Sequence, residues 1–167
     1  MKVNHNSYFD YNIPKNKEVP RKPMEQALNA EQKKTMAAIF LPDAKEIAEQ
    51  LSGCKDCILF LTEGFPGDKP EVRKAVSDEV LRDYCEGFHV VIKPHPRDGL
   101  DYAALYPQCT VIRGQFPIEV LNFIEGIHFR KAISIITSAL DSIAFADEKI
   151  NIGPYIYDAY EPEEEHA

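Results

Sequence analysis

The sequence lacks several features that would assign it to a familiar class. No apolar run approaches the roughly 20 residues that a membrane-spanning helix needs. The first six residues contain no apolar segment of the kind found in a signal peptide. The motifs GxGxxG, GxxxxGK[ST] and HExxH are also missing, so dinucleotide, P-loop and zinc-protease sites have no support. We therefore expect a protein without a membrane span or a signal segment.

Positive charge and paired cysteines are scarce as well. The formal net charge of −8 argues against nucleic acid or an anionic membrane as the main partner, because both attract basic surfaces. A small anionic ligand needs only a local cationic site and is not excluded. The four cysteines form no disulfide framework, and Cys54 and Cys57 have CxxC spacing but precede a predicted strand instead of following one. These features indicate a reduced, cytoplasmic protein and disfavour a zinc site.

What the sequence does contain is an alternation of strand-like and helix-like segments. Short apolar segments predict strands at 57–62, 88–92, 110–112, 132–136 and 150–152. Helical patterns lie between them, at 70–84, 101–106, 118–124 and 137–145. This alternation predicts an α/β protein, a single Rossmann-like domain with a parallel sheet.

The two ends of the chain are predicted to differ from this domain, which we place at residues 23–160. Residues 1–22 are polar and contain prolines, which indicates an extended arm or linker, and residues 161–167 are predicted to be a disordered acidic tail. At the start of the domain we predict a helix over 24–37, a first short strand over 37–41, and a helix that begins after Asp43 as its N-cap.

A histidine between two prolines follows the strand predicted at 88–92. Pro94 and Pro96 have no backbone N–H and push the residues before them toward extended geometry, so the backbone at His95 is stiff. Ligands bind at the carboxyl ends of strands in open α/β sheets. His95 is therefore a candidate general acid or hydrogen-bond donor to phosphate, with Lys93 and Arg97 adding complementary charge. The alternative is a surface turn with solvated charges.

Further candidates follow the other predicted strands. Thr137 and Ser138 open a helix and predict either an anion site or a capping box that Ser138 forms with Asp141. Asp68, like Glu63, is a candidate general base, although Asp68 also suits the N-cap of the next helix.

Glu119, which follows Pro117, is a candidate acceptor for ribose hydroxyls. Its alternative is a glutamate in the first turn of a helix, where it would favour the helix dipole.

Together these motifs resemble a known family. In order and spacing they are similar to the nucleotide-binding C-terminal half of family 52 glycosyltransferases, the bacterial lipooligosaccharide sialyltransferases. A His-Pro motif alone also occurs in teichoic-acid glycerophosphotransferases. The resemblance covers about residues 56–153 and implies a domain equivalent to one half of a GT-B glycosyltransferase. The stretches that carry it are Ile58-Leu-Phe-Leu-Thr-Glu63, Ile92-Lys-Pro-His-Pro-Arg-Asp98, Pro117-Ile-Glu119 and Ile136-Thr-Ser138.

The resemblance implies a role for each matching residue. His95 would contact the CMP phosphate and help it leave, Glu119 would hold the ribose hydroxyls, and Thr137 with Ser138 would bind the phosphate. Asp68 would be the base that takes the proton of the acceptor hydroxyl. There the chain departs from the family, which has paired acids followed by glycine, whereas this sequence reads Gly67-Asp68-Lys69.

The implied reaction is inverting transfer of sialic acid from CMP-sialic acid to a saccharide hydroxyl, without metal or another cofactor. Because the chain holds one Rossmann-like domain, we expect weak or no activity from it alone, and whether it is an enzyme by itself stays open. The alternatives are another donor, such as CDP-glycerol, or a non-catalytic nucleotide-binding or interaction module. A peripheral place at the inner membrane and a homodimer are further expectations.

Overall fold

The computed structural model describes residues 27–41, 43–54, 56–64 and 69–160. The predicted arm at 1–22 and the predicted tail at 161–167 lie outside the described residues. None of the helices in the described part of the chain is both long and apolar enough to span a bilayer.

Five strands form one parallel sheet, which confirms the predicted Rossmann-like α/β fold. The strands lie in the order β3-β2-β1-β4-β5. Their bounds are β1 Ile58–Leu61, β2 Val90–Lys93, β3 Thr110–Val111, β4 Phe129–Ser134 and β5 Ala146–Asn151.

Short helices connect and cover the strands. Among the described residues, the α-helices are α1 Ala30–Phe40, α2 Ala44–Leu51, α3 Pro70–Tyr84, α4 Tyr102–Leu105 and α5 Ala139–Ser142. The same part of the chain contains 3-10 helices at Ile118–Phe123 and Pro154–Tyr157.

The strand order places a topological switch point between β1 and β4, the region where ligands bind in sheets of this kind. Leu61 pairs with Lys93 on one side and with Ser134 on the other. The chain therefore leaves β1, β2 and β4 at the same level of the sheet, and the three loops that follow meet at its carboxyl edge.

Apolar side chains fill both faces of the sheet. On one face, Leu59 and Leu61 of β1 pack with residues of α2, the 118–123 helix and α5. On the other face, Ile58 and Phe60 pack with α3 and α4. All four residues of β1 are buried, as a strand covered on both faces must be. This burial makes β1 a rigid base for the loop that leaves it.

The prediction of a strand over 37–41 is wrong, because these residues form the last turn of α1 and its C-cap. The helix starts at Ala30, where Asn29 and Gln32 form a capping box. Ala37 and Leu41 are buried while Ile39 and Phe40 are exposed. The two buried residues are four positions apart, which is the spacing of one face of a helix. The apolar composition of residues 37–41 alone does not distinguish this pattern from a strand.

The helix predicted over 137–145 is much shorter than expected, since α5 has only four residues. The Asn122 side chain donates to Ser142 O at 2.9 Å and accepts from Ala144 N at 2.7 Å. Asn122 therefore satisfies a backbone carbonyl and a backbone N–H at the end of α5. The chain turns away at Ile143, which is extended, into β5.

Candidate functional site at the carboxyl edge of the sheet

The loop that follows β2, residues 94–98 (the His-Pro loop), forms a tight turn in which Asp98 N donates to His95 O at 2.9 Å. The Arg97 N–H donates to His95 Nδ1 at 3.1 Å, so the proton of the neutral ring lies on Nε2. Burial and the positive charge of Arg97 lower the pKa of His95, although Asp98 acts in the opposite direction. The imidazole is therefore neutral at pH 7, with Nε2–H as its remaining donor.

Gly64 makes room for this imidazole. A Cβ atom added at Gly64 would lie 2.3 Å from His95 Nδ1 and 3.0 Å from Arg97 Cβ. Both distances are shorter than van der Waals contact allows. A residue without a side chain is thus required where the loop after β1 passes the His-Pro loop.

Asp98 lies at the centre of a buried polar cluster that sequence reasoning missed. Its carboxylate accepts from Thr62 Oγ1 at 2.6 Å, Tyr102 OH at 2.7 Å, Arg73 Nη1 at 2.9 Å and Leu100 N at 3.2 Å. The side chain of Asp98 is completely buried and that of Arg73 is 10% exposed. A weak signal existed, since Asp98 directly follows the Pro-His-Pro-Arg stretch, but nothing local indicates its burial.

Lys93 and Arg97 are placed differently. The Lys93 ammonium is buried and donates to Pro94 O at 3.1 Å and Gly114 O at 3.0 Å, and it lies 4.7 Å from the centre of the Phe116 ring. Burial lowers the pKa of Lys93. Lys93 therefore links the end of β2 to the loop after β3, whereas Arg97 is exposed.

Glu63 links β1 to the turn after β4. Its Oε1 accepts from Ile136 N at 3.0 Å and from Thr137 N at 3.1 Å. Burial raises the pKa of the Glu63 carboxyl, although the backbone N–H groups act to lower it. Two N–H groups that a phosphate could use at this turn are therefore already occupied by a side chain of the protein.

The turn at Thr137 and Ser138 does not contain the predicted capping box. Ser138 makes no side-chain cap hydrogen bond, and its backbone is already helical. Instead, Thr137 Oγ1 accepts from Ala139 N at 3.2 Å. The capping alternative for Ser138 is therefore wrong, and its exposed hydroxyl is not used to cap α5.

A cavity of about 200 Å³ lies between the three loops. Thr62, Lys93, His95, Glu119 and Thr137 are among the residues that line it. The structure thus brings together predicted site residues that are far apart in the sequence. The Pro94–Pro96 segment also lines a neighbouring cavity of about 330 Å³, so this loop forms the wall between the two.

Asp68, the predicted general base, lies outside the described residues. Among the residues that the structure does describe, no three His, Cys, Asp or Glu side chains are grouped to hold a metal ion. Metal independence stays a prediction.

The chain is an α/β domain with a parallel sheet and a cavity at the switch point, and comparison with known proteins assigns it to a family. The model of glycosyltransferase family 52 matches residues 5–152. The chain belongs to glycosyltransferase family 52.

One curated relative is an uncharacterized protein of Haemophilus influenzae, 30% identical over 84 residues. The match covers half of this chain and a quarter of that relative. No solved structure matches the chain.

Proposed function

We propose that this domain binds the nucleotide part of CMP-sialic acid in a transferase that moves sialic acid to a saccharide hydroxyl with inversion. One observation carries the proposal: the 200 Å³ cavity at the switch point is lined by His95, Glu119 and Thr137 together. These are the residues to which the family resemblance gives the phosphate and ribose contacts.

His95 is suited to the phosphate because its ring is neutral and has one donor left. Nδ1 accepts from Arg97 N, so Nε2–H is the atom that can donate to a phosphate oxygen. When the bond between the sialic acid and the phosphate oxygen breaks, negative charge grows on the departing CMP. A donor already in place stabilises that charge without reorganisation.

Glu119 and the turn at Thr137 complete the proposed contacts. A carboxylate can accept hydrogen bonds from both ribose hydroxyls, and Glu119 lines the same cavity as Pro94, His95 and Pro96. Because Glu63 occupies the N–H groups of Ile136 and Thr137, we assign the phosphate contact at this turn to the hydroxyls of Thr137 and Ser138.

The remaining predicted residues have supporting roles in this proposal. Arg97 is exposed beside His95 and supplies positive charge near the phosphate, while Lys93 contributes its charge from the cavity wall. Asp68 stays the proposed base that takes the proton of the acceptor hydroxyl. We expect weak or no sialyl transfer by this chain alone, because the described residues form one sheet and the GT-B resemblance implies a site between two domains.

Calorimetric titration of the chain with CMP, CDP and UMP tests the proposal. We expect binding of CMP in preference to UMP, and a loss of about tenfold or more in CMP affinity for His95→Ala, because a hydrogen bond to a charged phosphate disappears. His89→Ala is the matched control, since the exposed His89 contacts Thr110 at the opposite end of β2.

Three results would redirect the assignment. Preference for CDP favours a donor such as CDP-glycerol. Unchanged CMP affinity in His95→Ala removes His95 from the site. Failure of all three nucleotides to bind favours a non-catalytic interaction module.

A further inference from the structure

The backbone of His95 is fixed by hydrogen bonds on both sides of the residue. Its N–H donates to Thr62 Oγ1 at 3.0 Å, and its carbonyl accepts from Asp98 N at 2.9 Å. Pro94 and Pro96 already restrict the local torsions. Two contacts from outside the Pro-His-Pro sequence therefore decide where this stiff segment lies.

The Thr62 hydroxyl has its direction set by Asp98. A hydroxyl has one proton to donate, and Thr62 gives it to Asp98 Oδ2 at 2.6 Å. The lone pairs of Thr62 Oγ1 are then turned toward the N–H of His95. Without the carboxylate, the same hydroxyl could rotate and lose this alignment.

Asp98 is itself held by groups on two helices. Arg73 of α3 and Tyr102 of α4 both donate to its carboxylate, which is completely buried. The carboxylate therefore has a single orientation, and the chain of contacts runs from α3 and α4 through Asp98 and Thr62 to His95.

We propose that Asp98, acting through Thr62, is a positioning residue that holds His95 so that Nε2 remains available to the ligand. Its effect on nucleotide binding rests on the proposed function. The effect on the His95 ring itself does not, and the two can be measured separately.

The test compares Thr62→Val, which removes the hydroxyl at similar size, with Thr62→Ser, which keeps it. Thr110→Val is the matched control, because it removes another threonine hydroxyl bonded to a histidine, at 2.8 Å from His89 Nε2. The first measurement is the ¹⁵N NMR spectrum of the His95 ring over pH, and the second is CMP affinity. Thermal unfolding of each variant shows whether it is folded.

In Thr62→Val we expect the single Nε2–H form of His95 to give way to a mixture of tautomers. We also expect the pKa of the ring to rise toward its ordinary value, because the loop becomes more exposed. CMP affinity should fall on the order of tenfold, the loss of about one good hydrogen bond. Thr62→Ser should restore both properties, and Thr110→Val should alter neither.

Thr62→Val with an unchanged His95 spectrum would overturn the positioning role, whatever happens to binding. If the spectrum changes but the parent chain does not bind CMP, the positioning role stands and the proposed function fails. If Thr62→Val does not fold, the Thr62→Ser variant, which keeps the hydroxyl, is used instead. A His95 spectrum like that of the parent chain supports positioning through the hydroxyl, and a shifted spectrum refutes it.

Discussion

Two consecutive residues that follow β1, Thr62 and Glu63, hold the two loops that flank the cavity, but they do so in different ways. The Thr62 hydroxyl holds the loop after β2, because it accepts from His95 N and donates to Asp98, which is paired with Arg73. Glu63 holds the turn after β4 through one carboxylate that accepts two backbone N–H groups. The first connection is a network with several members, whereas the second depends on a single titratable side chain.

This difference predicts different sensitivities for the two loops. The network beside His95 contains a buried ion pair, so the loss of one partner should strongly lower the free energy of unfolding. Ordinary pH changes should have little effect on this pair, because the guanidinium stays charged. The connection at Glu63 has few partners and a carboxyl whose pKa is raised by burial. The turn after β4 should therefore respond to pH more strongly than the loop after β2.

The largest expected effect is on folding stability in Asp98→Asn. The substitution keeps the shape but removes the buried negative charge that Arg73 Nη1 contacts at 2.9 Å, and breaking comparable buried pairs costs about 3–5 kcal/mol. Urea unfolding measures the free energy of unfolding. Glu49→Gln, which breaks the exposed Lys45–Glu49 pair, should change it by less than about 0.5 kcal/mol. Equal losses in the two variants would contradict the buried network.

Glu63 should show its role through two substitutions. Glu63→Ala leaves the N–H groups of Ile136 and Thr137 without their acceptor, at a cost of about 1–3 kcal/mol. Glu63→Gln keeps an acceptor oxygen of the same shape and should be far less destabilising. Urea unfolding at pH 7 distinguishes the two, and equal destabilisation would show that the acceptor is not what matters.

The same pair of proteins predicts a pH dependence. The folded pKa of Glu63 is raised above 4.5, so its stabilising contribution is complete below that value and is lost as pH rises through the folded pKa. The parent chain should therefore lose stability relative to Glu63→Gln between about pH 4.5 and neutral pH. Parallel stability curves for the two proteins across this range would refute the raised pKa.

Gly64→Ala should disturb the β2 side without breaking its ion pair. The new Cβ would meet His95 Nδ1 at 2.3 Å, so the ring must move and give up its bond from Arg97 N. We expect a stability loss of about 1–3 kcal/mol and a His95 pKa closer to the ordinary value by NMR titration. Gly53→Ala is the matched control, since an added Cβ there meets nothing within 4 Å.

The smallest expected effect is at Ser138. Because Ser138 makes no cap hydrogen bond, Ser138→Ala should change folding stability by less than about 0.5 kcal/mol. Asn29→Ala removes a capping box that is present in α1 and should cost about 1 kcal/mol. Thermal unfolding measures both variants, and a larger loss at Ser138 would restore the capping interpretation.

Local sequence patterns predicted the elements whose structure depends on near neighbours. Helix α3 was predicted at its observed bounds, because apolar residues recur at helical spacing and Pro70 suits a helix start. β1 was recognised as a buried strand from its continuous apolar run. Patterns failed at residues 37–41 and at the end of α5, where burial of Leu41 and the side chain of Asn122 decided the outcome.

In the candidate site too, some features depend on near neighbours in the sequence and others on distant contacts. The stiffness of the His-Pro loop follows from two prolines beside His95, and the order of strands and helices along the chain follows from local periodicity. Local patterns therefore suffice for the class of fold, and they also identify Glu119, after Pro117, and Thr137, after a predicted strand, as candidate ligand contacts.

How these residues are held depends on contacts between distant parts of the chain. The contacts from Thr62 to Asp98 and from Glu63 to Thr137 join residues that are 36 and 74 positions apart. Such pairs meet because β1 lies between β2 and β4 and the three strands end at one level. Hydrogen bonds depend on distances of about 3 Å, and no local pattern specifies a distance between residues so far apart in the chain.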